Sequence, residues 1–274
     1  MKNQFISDLT EEIGTLTEVE SMNFKYSLYE IEELHGEKFI VGKGEPEFVS
    51  KRNLEFDGVE LLFSLINLID EDLPEFLDEE YLNPVIKDEN ILKWVEKYGI
   101  PYRDQELNAL LNEKKWRTNV LHIGFFKYSV ASLVETFNLW KAIYQDNQAE
   151  IKKYKRAATM LESIKLESPD KDEKDILKEA LAITVGSKAS VTINFAYSPD
   201  TKKNHFVLEA NSILDIAYYQ LAALMTKPPS ESKESMKNCK KCNSLFWAKH
   251  KNAKYCSNPR CNRKNDYYHR NKEK

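Results

Sequence analysis

The chain has 274 residues, is 42% hydrophobic and 31% charged, and carries a formal net charge of −4. That length and apolar content allow one sizeable core beside a module too small to hold itself together without a staple. They exclude a helical membrane span: the best apolar run, residues 61–69, is far too short to cross a bilayer, and residues 1–8 lack the apolar stretch of a signal peptide, so a cytoplasmic protein is expected.

In chain order, residues 24–31 and 38–41 read as short strands, the second following a turn at His35-Gly36. Helices are expected over 58–69, 89–98, 125–145, 149–164, 171–183 and 211–225, several with apolar residues at three- and four-residue spacing. Within 125–145, Phe126, Val130, Leu133, Val134, Phe137, Trp140, Ile143 and Tyr144 form a heavy apolar stripe, which belongs in a core rather than around a ligand. Residues 190–197 alternate small or polar with β-branched or aromatic side chains, and after the turn Ser198-Pro199-Asp200 the segment 205–208 returns as a hairpin partner. The expected fold is therefore α+β: a helix-dominated body over residues 1–226. A polar, proline-led linker over 227–236 leads to a small module over 237–274.

All four cysteines fall in that module, within twenty-three residues, as Cys239-Lys240-Lys241-Cys242, then Cys256 and Cys261. Two tight pairs of soft thiolates suit one structural zinc ion, and a reducing compartment keeps the thiols available for it. Leu245-Phe246-Trp247 reads as the apolar strand of a short hairpin, and Ala253-Lys254-Tyr255 leads back to the second pair. Ser257 is placed to cap a helix over 258–271 with Pro259 in its first turn. The metal would then clamp hairpin to helix in a treble-clef-like finger. His250, between the pairs, is a rival ligand, and His269 a weaker one. Four thiolates close the coordination sphere, so the zinc is expected to be structural and not catalytic.

Charge divides at the same place. Twelve Lys and Arg against two acids, Asp266 and Glu273, give residues 237–274 about +10, which leaves about −14 on the rest of the chain. On the expected terminal helix Arg260, Arg263, Tyr267 and Arg270 fall near one side, and Lys254, Lys264 and Lys272 add cations around them. Such a face binds phosphates through Arg and Lys and stacks on bases through Tyr. The expected partner is nucleic acid, with DNA ahead of RNA, contacted by the module alone because the acidic body repels it. Nothing in the sequence points to a membrane or to a particular small-molecule ligand of the body.

The string Cys-Lys-Lys-Cys, then Leu-Phe-Trp, then Lys-Tyr-Cys-Ser-Asn-Pro-Arg-Cys-Asn-Arg-Lys resembles the CGNR-type zinc finger at the C-terminus of bacterial stress-induced transcription regulators. The resemblance covers about thirty residues and implies zinc on the four cysteines, a basic helix after the last of them, and DNA binding in transcription regulation. Here Cys261-Asn262-Arg263-Lys264 has asparagine in the place of the family's glycine.

Two other functions compete. The basic finger could dock on an acidic protein surface instead, as a protein-interaction module. Arg117 and His122, with four residues between them, resemble the signature of HEPN-type ribonucleases; if they shared one helix they would sit near one edge, with histidine as base and arginine steadying the phosphate. Against an enzyme stand the lack of a glycine-rich phosphate loop, a Gly-x-Ser-x-Gly elbow or a His-Glu-x-x-His helix, and only eight glycines in the chain. A nonenzymatic zinc-finger regulator is the leading expectation.

Overall fold

A computed structural model describes residues 19–21, 23–44, 47–49, 59–69, 73, 82–83, 85–101, 120–153, 172–198, 202–210, 212–226, 235–248, 250–258 and 260–261. The elements are β1 (Val19–Ser21), β2 (Asn23–Lys25), β3 (Leu28–Leu34), β4 (Glu37–Lys43), β5 (Glu47–Val49), α1 (Glu60–Ile66), α2 (Asp88–Tyr98), β6 (Val120–His122), α3 (Ile123–Tyr144), α4 (Gln148–Ile151), α5 (Glu173–Lys188), β7 (Val191–Ser198), β8 (Lys203–Ala210), α6 (Ile213–Met225), β9 (Met236–Asn238) and β10 (Leu245–Trp247). The chain is thus mixed helix and sheet, and helix outweighs strand among the described residues.

β3 and β4 form an antiparallel hairpin whose turn is His35-Gly36, both at positive φ (53° and 82°), the twist that matches a right-handed strand pair. The expected strand over 24–31 is broken into two. At the break Tyr26 N–H donates to the Tyr29 hydroxyl at 3.0 Å, and the Tyr26 ring lies over Gly42, where a Cβ would come within 2.3 Å of Tyr26 Cδ2. β6 joins the far edge of β4 antiparallel, which makes a three-stranded sheet in the order β3-β4-β6. β7 and β8 pair antiparallel from Val191↔Ala210 to Ser198↔Lys203, and β1 adds to β8 in parallel, Val19↔Leu208 to Ser21↔Ala210. β2 pairs with β5.

One main core holds α1, α2, α3, α5 and α6 together with one face of the first sheet, through Tyr29, Ile40 and Leu121. The opposite face carries its own small cluster of Leu34, Phe39, Val41 and Val120. The α3 stripe is core: Phe126, Val130, Leu133, Phe137, Trp140 and Ile143 are all at most 1% exposed. The same helix also buries Lys127, whose Nζ lies 2.5 Å from Asp88 Oδ1 and donates to Asn83 Oδ1 at 2.6 Å.

Helix ends follow local chemistry. The Asp172 side chain accepts from Lys174 N–H and Asp175 N–H at the start of α5, Ser212 accepts from Asp215 N–H at the start of α6, and Gly99 (φ 83°) ends α2. α5 runs to Lys188, five residues past the expected end at Ile183. Thr184, Val185 and Gly186 are poor helix formers, but Val185 is buried in the main core and packing overrides propensity. Of the helix expected over 149–164, only residues up to 153 are described, with α4 at its start; residues 227–234 of the expected linker lie outside the described residues.

Candidate metal centre

The candidate metal site begins with a hairpin. β9 and β10 pair antiparallel, Met236↔Trp247 to Asn238↔Leu245, and Cys239 leaves β9 directly into the turn. Cys239 N–H donates to Ser244 O at 2.9 Å and Asn243 N–H returns to Cys239 O at 2.8 Å, with Asn243 left-handed at φ 57°. Those bonds wrap Cys239-Lys240-Lys241-Cys242 so that both thiols point into one space. The second pair is tied to the first by Lys240 N–H donating to Lys254 O at 3.0 Å, two residues before Cys256. Asn258 then turns the chain: its Oδ1 accepts from Arg260 N–H at 3.0 Å and its carbonyl from Cys261 N–H at 2.8 Å. The expected cap, Ser257, is exposed, and the side chain that accepts here belongs to the next residue.

As a result the four Sγ atoms of Cys239, Cys242, Cys256 and Cys261 lie within 4.8 Å of one another. Cys242 and Cys256 are 3.8 Å apart, and none of the four forms a disulfide. A tetrahedral ion with metal–sulfur bonds of about 2.3 Å separates its ligands by about 3.8 Å, so the set fits one bound metal ion with little adjustment. Cys239 and Cys261 are buried, Cys256 half-buried and Cys242 exposed.

The thiols are electrostatically unequal. At Cys239 burial opposes ionisation, but hydrogen bonds from the backbone of Cys256, Cys242 and Lys241 outweigh it and bring the pKa down to about 6. At Cys261 burial and the three neighbouring sulfurs act together and push it up to about 12. Backbone hydrogen bonds to the Cys239 sulfur favour its thiolate, the form a metal binds.

Two lysines of the module are used internally: Lys237 Nζ donates to Lys251 O and Lys241 Nζ to Arg260 O, bracing the loops around the cluster. Lys240, Lys254 and Arg260 have exposed side chains on the same module. Of the residues expected to meet nucleic acid, Lys254 and Arg260 are thus placed beside the cysteines, while Arg263, Lys264, Tyr267, Arg270 and Lys272 lie outside the described residues, as do the rest of the expected helix and His269. His250 is exposed and contributes a backbone turn, its carbonyl accepting from Ala253 N–H at 2.9 Å; the ligating atoms that converge are those of the four cysteines.

Of the pair Arg117 and His122, the structure describes the histidine, which stands at a strand end and not within a helix. His122 ends β6 and caps α3, its Nδ1 accepting from Phe125 N–H at 2.9 Å, with Nε2 3.2 Å from Glu37 Oε2. Both ring nitrogens are engaged in holding elements together, because a strand end meeting a helix start leaves an orphan N–H for the imidazole to satisfy. Arg117 lies outside the described residues.

Sequence reasoning missed a residue that joins the module to the body. Asn67, just past α1, donates from Nδ2 to Leu245 O at 2.9 Å and accepts at Oδ1 from Leu245 N–H at 2.8 Å. The partners are 178 residues apart in sequence, and a lone Asn after an apolar run gives no signal of such a bond. No helix among the described residues is long and apolar enough to cross a membrane. No protein-family description, curated protein or solved structure matches the chain.

Proposed function

We propose that the chain is a nucleic-acid-binding zinc-finger protein, a DNA-binding transcription regulator in the cytoplasm, whose four cysteines hold one structural zinc ion. The observation that carries this reading is the convergence of four sulfurs within 4.8 Å, ringed by exposed Lys240, Lys254 and Arg260. Four thiolates favour a soft ion, and among the common ones zinc takes that set without redox chemistry. The resemblance to the CGNR-type finger supports the same assignment, with a treble-clef-like module in which a basic helix follows Cys261. The −14 body would stay off a polyanion, which leaves the +10 module as the contact.

The test is binding of the zinc-loaded full chain to duplex DNA and to RNA across salt. With about five phosphates neutralised, the log–log salt slope should be near about −4.5, a loss of roughly 500-fold between 50 and 200 mM salt. No binding to either nucleic acid at low salt would overturn the reading and favour docking on an acidic protein surface.

A further inference from the structure

α1 has seven residues and four of them, Leu61, Leu62, Phe63 and Leu65, are buried. Two turns of helix do not hold themselves in water, so α1 depends on what surrounds it. Its cap residue, Val59, has no side-chain acceptor, and the buried Gln220 of α6 supplies one across space, taking Leu62 N–H at 2.7 Å. Trp94 of α2 donates to Ser64 Oγ at 3.0 Å, and Phe63 meets Phe137 of α3 edge-on at 6.2 Å. The fourth support comes from the cysteine module. In the β9–β10 hairpin, Cys239 N–H to Ser244 O and Ala248 N–H to Ser235 O mark the rungs of the ladder, and alternation along the strand turns both polar groups of Leu245 outward. The Asn67 carboxamide meets both, as a neighbouring strand would. Met236, Leu245 and Trp247 pack against the main core beside it.

We infer that the metal centre acts as a latch on the body: zinc fixes the hairpin, the hairpin holds α1 through Asn67, and metal occupancy thereby sets the stability of a helix that touches α2, α3 and α6. This rests on reading the four cysteines as a metal site. The physical basis is linkage. A hairpin of three-residue strands is marginal alone, so the form that docks on α1 is the metal-bound form, and whatever binds that form alone stabilises what it contacts.

The experiment uses the reduced full chain, zinc-loaded and after removal of zinc by a chelator, with metal content measured by elemental analysis and exchange of the α1 amides followed by hydrogen–deuterium exchange. Removing zinc should speed α1 exchange by at least about tenfold and lower the melting temperature by roughly 5 °C. In Asn67→Ala, loaded with the same amount of zinc, the change in α1 exchange should shrink to less than about threefold. Stoichiometric zinc whose removal leaves α1 exchange unchanged would overturn the latch and leave the metal site standing. Failure to bind zinc at all would overturn the metal site, and the latch with it. Should Asn67→Ala not fold, the zinc-loaded and zinc-free wild type still decide the matter.

Discussion

At Lys127 a charge is buried on the helix that forms the centre of the core. Its ammonium is held by Asp88 and Asn83, and Asp88 in turn accepts from Lys38 Nζ at 2.8 Å. Partial burial raises the Asp88 pKa, yet the hydrogen bonds and charges of Lys127 and Lys38 outweigh it and hold the carboxyl below its ordinary value. A depressed carboxyl stabilises the fold above its unfolded pKa, about 3.9, and that contribution is lost as pH falls through the lower folded value. Lys127→Met keeps the volume but leaves Asp88 with Lys38 alone, and should cost about 2 kcal/mol in urea unfolding at neutral pH. The variant should also lose less stability than the wild type between about pH 4 and pH 2, because less of the depression remains to be lost. The cysteines answer differently to single changes. If the four thiols hold zinc as proposed, Cys256→Ser removes one of four soft ligands, and zinc affinity should fall by at least about 100-fold, read by competition with a chromogenic chelator.

Elements differ in how plainly the sequence announces them. α3, α6 and the β7–β8 hairpin lie within a few residues of their expected bounds, because long apolar periodicity and strict alternation are local properties of the chain. The four cysteines were legible for the same reason: the ligand set is contained in one short stretch. β1, β5 and β6 are three residues each, too short for any period to register, and their existence follows from the strands they pair with. The burial of Lys127 and the reach of Asn67 were equally hidden, since both depend on partners far along the chain. α1 gives this a measurable form. Its first-turn N–H is satisfied only by packing α6 against it, so Gln220→Leu should strand the buried Leu62 N–H and cost about 2 kcal/mol of stability. Hydrogen exchange at Leu62 should accelerate correspondingly while the amides of β7 and β8 stay unchanged.

At the scale of the whole molecule, the division of charge puts the cations of the module on an otherwise acidic protein. Lys237 and Lys241 are spent on backbone carbonyls, while Lys254 and Arg260 are among the exposed cations of the module. If the module binds nucleic acid as proposed, replacing Lys254 and Arg260 by Ala should reduce the salt slope of that binding by up to about two units, with metal content unchanged because neither is one of the four cysteines. A fluorescence-anisotropy titration at three salt concentrations is sufficient to read it. The parallel pairing of β1 with β8 sets another property of the whole chain. Val19 finds its partner at Leu208, about 190 residues later, so this ladder cannot close until most of the protein has left the ribosome. At about 5–20 residues per second, β1 waits roughly 10–40 s for a partner. During that interval its backbone edge is open to other strands, so the order of synthesis, and not only the final fold, decides when the third strand of that sheet is sealed.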